Sequence, residues 1–396
     1  MRIITKKFHT VIFRKHYFME YNQRNVTIAN LLTYYLNLSC NKYHTEIEIE
    51  NYIDNYYGIS YNVTVHTIGN RLFISLAMDA VDPEYIDDEA YTLDTLNEVF
   101  ETLTDPYLVD GKFDLSTFNN VKKMYLYDLT EIDNEPYKAE NGFYHAYFKG
   151  TNRDVISTGT KSILKEITLD EAIEFYNNIL KNEHLTTYIG NVEGLKSNEI
   201  DTLKEIKNYY FTERREIKSH RIIEKHDSKT AWLKIGIDTK LYNDHPLRDA
   251  SMLYNYFLGD SSYSMLFKNV REKKNLCYAI SLQSLGATGI TVISSQIKKK
   301  NLDLVIDEIK DTILHSLDDF NLDDAKMKYI MDNKPVYDYI NTVANDEFYR
   351  RFVPDVKTDH FEERFNSITM DDLVKVRDLY LNFDLIYLFG GDKDEE

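Results

Sequence analysis

Apolar residues recur at helical spacing in some stretches of the chain and alternate with polar residues in others, and the order of the two patterns sets the first expectation for the fold. Residues 26–38 (VTIANLLTYYLNL) put Ile28, Leu31, Leu32, Tyr35 and Leu36 on one helical face. Residues 46–57 predict a second helix, which Gly58 ends. Residues 59–65 and 71–78 read as two strands paired around Gly69-Asn70. Asp82-Pro83 breaks the chain, and residues 91–103, 118–130 and 141–148 then read as helices. With β-prone segments at the start of the chain, this is an α+β layer.

The same patterning returns later in the chain. Ile167-Thr168-Leu169-Asp170-Glu171 leads through a helix and a strand to Ile189-Gly190-Asn191, and Ile368-Thr369-Met370-Asp371-Asp372 leads likewise to Phe389-Gly390-Gly391-Asp392. Each block opens on a threonine N-cap with an acid three residues later, the pattern of a capping box. Ala29-Asn30-Leu31-Leu32 compares in the same way with Ala250-Ser251-Met252-Leu253. The chain is therefore expected to be a duplication: an N-terminal α+β half (1–195), a linker (196–221) and a C-terminal α+β half (222–396). The charged run 204–218 is a candidate for a helix bridging the two.

One stretch, 254–286, has an order that suggests chemistry beyond packing. Leu258-Gly259-Asp260-Ser261-Ser262 supplies a turn and helix-capping hydroxyls, and Met265, Leu266 and Val270 follow at helical spacing. Asn275 can close such a helix in the left-handed region, and residues 277–282 are β-prone. Arg271 thus sits near the helix end and Tyr278 just beyond the turn, where both can reach one cavity. Taken alone, Arg271 and Glu272 also fit a solvated helix end, and Tyr278 a half-buried strand aromatic.

Composition narrows the function classes. With 47 Lys and Arg against 65 Asp and Glu, the net charge is −18, which repels nucleic-acid backbones and anionic membranes and would better receive a basic peptide. Cys40 and Cys277 are the two cysteines, too few for a disulfide framework or a cysteine metal site, which fits a reducing cytoplasm. No apolar run approaches the length of a membrane span, and the first residues read as a strand rather than a signal peptide.

Residues 264–273 (SMLFKNVREK) followed by Leu276-Cys277-Tyr278 resemble the second-half motif of the pitrilysin/insulinase zinc peptidase family. In that family an arginine and a tyrosine seven residues apart face the substrate across a closed chamber, and the resemblance transfers those roles to Arg271 and Tyr278. The glycine-rich turn usual before the helix is reduced here to Gly259-Asp260. The family's first helix carries H-x-x-E-H, in which two histidines bind zinc and the glutamate activates water. By register those positions fall at Asn30, Thr33 and Tyr34, a degenerate zinc motif with neither imidazole nor general base. Glu101 and Glu131 are the places to look for a third ligand, while His220 and His226 read as surface residues. Asp133-Asn134-Glu135-Pro136-Tyr137 looks like a family Asp-Asn-Pro-Tyr turn with one residue inserted.

What the resemblance implies is a clamshell of two homologous α+β sandwich halves that binds no metal itself. It would complete a zinc-bearing homologous partner subunit, supplying Arg271 and Tyr278 in trans for cleavage of short or leader peptides. Overall the chain is similar to zinc-less family members associated with elongation factor P modification. The alternative is a catalytically inert peptide-binding or scaffolding protein of the same fold.

Overall fold

The computed structural model describes the chain apart from residues 197–200, 215, 218–219, 261–262, 335–337 and 394–396. The capping hydroxyls expected at Ser261 and Ser262 lie outside the described residues. In chain order the first half runs β1 (Arg2–Ile4), β2 (Thr10–Glu20), α1 (Gln23–Leu38), α2 (Glu46–Ile53), β3 (Ser60–Ile68), β4 (Arg71–Val81), α3 (Leu93–Thr104), a hairpin of β5 (Leu108–Val109) and β6 (Lys112–Phe113), α4 (Leu115–Glu131), α5 (Glu135–Phe148), α6 (Lys161–Glu166), α7 (Leu169–Ile179) and β7 (His184–Gly190). The second runs β8 (Arg221–Glu224), β9 (Ala231–Ile237), α8 (Arg248–Asn255), β10 (Cys277–Leu285), β11 (Ile290–Ile297), α9 (Leu302–Leu314), α10 (Leu322–Asn333), α11 (Ile340–Phe352), α12 (Phe361–Asn366), α13 (Met370–Tyr380) and β12 (Leu385–Gly390).

Each half builds one five-stranded sheet, ordered β1-β7-β2-β4-β3 in the first and β8-β12-β9-β11-β10 in the second. In both, the short outer strand pairs in parallel with the terminal strand, and every other pairing is antiparallel. The fold is therefore α+β and duplicated, as the repeat predicts. α13 matches α7 residue for residue at an offset of 201, and β12 begins 201 residues after β7 begins. Thr369 forms the complete capping box with Asp372. Thr168 accepts from the Glu171 N–H, but the Glu171 carboxylate is taken by Arg24 through two bonds of 2.6 and 2.9 Å.

The compact units are not contiguous in sequence. One comprises residues 1–132, 155–209 and 336–354, the other 133–154, 210–335 and 355–396. So α11 belongs to the first unit and α5 to the second. In the first, alternate residues of β2 such as Val11 and Phe13 pack with Met78, Leu96 and Phe100 into a buried core. In the second, β9, α8, α9 and α13 share a core that includes Leu233, Leu253, Val305 and Val376. α5 closes the second unit's other sheet face, and Gly236 is required there: a Cβ at that position would sit 2.5 Å from the Tyr147 ring.

Two local expectations change. The second helix ends at Ile53, and a tighter turn carries the chain to Tyr57 and Gly58, both at positive φ. The charged run does not form a bridging helix: the described residues from 201 to 217 have no regular structure. Leu203, Ile206 and Tyr209 are buried one by one at three-residue spacing. Their backbone bonds go to neighbours instead of to a helical ladder, with Leu203 N donating to His184 O, Ile206 N to Phe352 O, and Asn70 N to Tyr209 O.

Candidate functional site

The segment between α8 and β10 is wound more widely than an α-helix. Tyr256–Asp260 and Phe267–Lys273 form π-helical turns, shown by Lys274 N donating to Asn269 O at 3.2 Å. Such turns are rare and gather at functional sites. Ser264 starts the second one by accepting from the Phe267 N–H, and buried Leu266 and Val270 tie it to the core. Asn275, at φ +51°, ends it, with its own N–H on Arg271 O and the Leu276 N–H on Val270 O, each 3.0 Å. The chain passes at once into β10.

There the pairing with β11 slips by one residue. Cys277 faces Ile297 and Ala279 faces Gln296, so Tyr278 is the extra residue of a β-bulge. A bulge re-aims a side chain, and Tyr278 is 51% exposed although Cys277 and Ile280 beside it are buried. Arg271, also exposed, lays its guanidinium 4.6 Å over the Phe267 ring. The two residues are brought together on an open cleft of about 460 Å³ with Phe267, Glu272, Asn275 and Cys277. Burial pushes the Cys277 thiol up, with Arg271 pulling the other way, so the cysteine is no thiolate nucleophile. Among the described residues, nothing in the protein hydrogen-bonds the Tyr278 hydroxyl or pairs with Arg271. A phenol donor and a guanidinium fork thus line the same open cleft.

The first helix is committed to its own unit. The Asn30 amide donates to Val26 O (2.8 Å) and Ser157 O (3.2 Å), and the Thr33 hydroxyl to Asn30 O (2.8 Å). Tyr34 donates to Asp128 of α4 at 2.6 Å and stacks on Tyr125, ring centroids 5.1 Å apart. Burial raises the Tyr34 pKa, and the bond to Asp128 adds to the effect. Among the described residues no cluster of three His, Cys, Asp or Glu side chains could hold a metal. These residues do not fit zinc, which takes imidazole, thiolate or carboxylate donors.

Of the two glutamates considered as a third ligand, Glu101 pairs with Lys15 of β2 at 2.8 Å and Glu131 is exposed at the end of α4. The carboxylate that meets the degenerate motif itself, Asp128 on Tyr34, was not expected. Its signal was the buried stripe Phe118, Val121, Tyr125 and Leu129 on α4, beside which Asp128 lies exposed, three residues after Tyr125. His220 is exposed, against Asp384 O at 2.7 Å, and His226 stacks on Phe389 at 4.9 Å. The Asp133–Tyr137 segment starts α5, with Asn134 accepting from the Tyr137 N–H.

The fold and the cleft can be set beside known proteins. Residues 166–333 match the family described as Peptidase M16 inactive domain. The probable inactive metalloprotease YmfF of Bacillus subtilis (strain 168) is 22% identical over 98% of this chain and 94% of its own length. A conserved protein from Enterococcus faecalis V583 has the same fold, with a TM-score of 0.85 at 19% identity, covering all of this chain and 96% of that one. The peptidase M16 inactive domain from Pseudomonas fluorescens superposes with a TM-score of 0.73 at 15% identity, covering 100% and 96%. Over residues 166–333 the chain is thus similar to the inactive domain of the M16 peptidase family, it shares its duplicated fold along the whole length with an M16 inactive-domain protein, and its first helix offers no zinc ligands.

Proposed function

We propose that this chain is the non-metal subunit of a two-chain zinc peptidase, completed by a homologous zinc-bearing partner and acting on short peptides or leader segments. The observation that supports it is the Arg271–Tyr278 cleft, where a bulge and a π-helical turn hold two uncommitted polar groups open to solvent. Peptide hydrolysis develops negative charge on the scissile carbonyl oxygen. Tyr278 is the donor whose hydrogen bond strengthens as that charge grows. The rigid fork of donors on Arg271 suits holding the substrate's backbone carbonyls in register. The metal and the activated water are assigned to the partner, because Asn30, Thr33 and Tyr34 cannot supply them.

The test is steady-state kinetics of the pair reconstituted with its zinc-bearing partner. Loss of one such donor costs about 2.7–4 kcal/mol, so Tyr278→Phe should lower turnover roughly a hundredfold or more without dissociating the subunits. Arg271→Ala should also raise the KM. Full activity in both variants, with melting temperatures unchanged, would leave the chain an inert scaffold.

A further inference from the structure

The duplication supplies an internal control for a cleft that the peptidase reading does not use. The element order α4-α5-α6-α7-β7 of the first half recurs as α10-α11-α12-α13-β12 in the second, which makes α11 the counterpart of α5. In the second unit the space between α5 and the sheet is filled: Phe143, Tyr147, Val292, Leu385 and Tyr387 form one buried apolar cluster. In the first unit α11 packs on Ile12 and Ile189 through Ala344 and Ile340, and the rest of the region between it and the sheet is a cleft of about 570 Å³ with a polar floor.

Strand register shows how that floor is built. Arg14 of β2 lies opposite Thr187 of β7 and Ala77 of β4, and Ala77 opposite Asn62 of β3. Two residues along, His16 lies opposite Ser75, and Ser75 opposite Thr64. These are adjacent rows on one face of the sheet, since side chains alternate with period two. Ala77 leaves room beside Arg14. α11 contributes Asn341, Asn345 and the Phe348 ring. A sheet face under a helix is ordinarily apolar. In the second unit the polar pair on that face, Lys234 and Ser294, is satisfied internally and by Glu140 of α5, so polar rows left short of partners in mid-sheet call for a role other than packing.

Several groups here are short of partners or countercharge. His16 and Thr187 are 8% and 2% exposed, yet His16 Nδ1 and Thr187 Oγ1 have no hydrogen-bond partner among the described residues. Buried polar atoms left so cost stability. Arg14 donates to Asn341 and remains charged. The opposite charge that acts on it is Asp79, whose own carboxyl is pushed upward by burial, with Arg14 opposing. His16 is neutral, since burial, then Arg14 and His66, push its pKa down to about 3.

We propose that this cleft binds a small oxyanion, a carboxylate or phosphate on a metabolite-sized molecule, with Arg14 as its anchor. An oxyanion supplies the countercharge that Asp79 gives only in part, and its oxygens accept from Thr187, Asn345 and the neighbouring hydroxyls. The volume falls in the range of roughly 300–1,000 Å³ common for small-molecule sites, and Phe73 and Phe348 offer apolar wall for the rest of the molecule.

Titration calorimetry of the whole chain with inorganic phosphate and, separately, with succinate tests the proposal. At least one should bind saturably, and which of them does so tells a phosphate site from a carboxylate site. Arg14→Gln should weaken that binding about tenfold or more. Thr187→Val, of equal size and suited to a strand, should weaken it as well, and it carries the test if Arg14→Gln fails to fold. The proposal is overturned if neither anion saturates in the millimolar range, or if folded variants bind as the natural chain does.

Discussion

Tyr278 is exposed because one extra residue enters β10 opposite β11, and that insertion turns it outward with Ala279 between buried Cys277 and Ile280. Spacing alone placed Arg271 and Tyr278 near one cavity, but the bulge cannot be read from residue types. His16 shows the same limit from the other side. In the sequence it is one more polar residue in an alternating strand; in the structure it is buried beneath α11, edge-on to Phe73 at 5.6 Å. Its pKa is depressed from about 6.5 to about 3, first by burial and then by Arg14 and His66. A group depressed on folding stabilises fully above its unfolded value, and that contribution is lost as pH falls toward the folded value. The natural chain should therefore lose stability between about pH 6.5 and pH 3, by up to about 1.4 kcal/mol per pH unit from this residue. His16→Gln cannot titrate, so its melting temperature should fall less steeply across that window. Parallel profiles for the two proteins would remove His16 as the cause.

At the scale of the element, the threonine caps were legible and their partners were not. Thr168 and Thr369 each accept from the N–H three residues on, at 3.2 Å. Only Asp372 reaches back to its cap, because Glu171 is drawn to Arg24 on α1, a contact between elements that no local pattern encodes. Thr369→Ala removes the cap bond and the hydroxyl's bond to Asp372, and it should cost about 1–2 kcal/mol. Thr168→Ala loses one bond and belongs at the lower end, about 0.5–1 kcal/mol. Thermal unfolding compares them, and a larger loss from Thr168→Ala would contradict the assignment. The charged run after β7 failed as a helix for a related reason. Its apolar residues bury separately against different elements, so it has no single face to bury, and helical stability comes mostly from such a face.

At the scale of the whole molecule, each compact unit takes one helix from the stretch of chain that otherwise builds the other: α5 in the second, α11 in the first. α5 matters to the second unit because Phe143 and Tyr147 fill the sheet face over Gly236. Gly236→Ala would drive a methyl to 2.5 Å from the Tyr147 ring and 2.9 Å from Phe143. It should destabilise by about 1–3 kcal/mol, read as a lower denaturant midpoint. Gly194→Ala, with nothing within 4 Å of the added carbon, is the control and should be close to neutral. Equal midpoints for both would mean that α5 does not pack as described.

By itself the sequence determined the duplication, the α+β class, the strand pair around Gly69 and the placing of Arg271 and Tyr278 around a helix end, because each rests on interactions within a few residues or on a pattern repeated along the chain. It also determined that α1 offers no zinc ligands, since ligand chemistry is a property of residue type. Tertiary structure alone decided that α5 and α11 belong to units assembled mainly from other parts of the chain, that Asp128 meets Tyr34, and that the two sheet faces differ, one packed and one a polar cleft. Those outcomes depend on residues far apart in sequence competing for the same buried space, and side-chain alternation along one strand is blind to what lies across it.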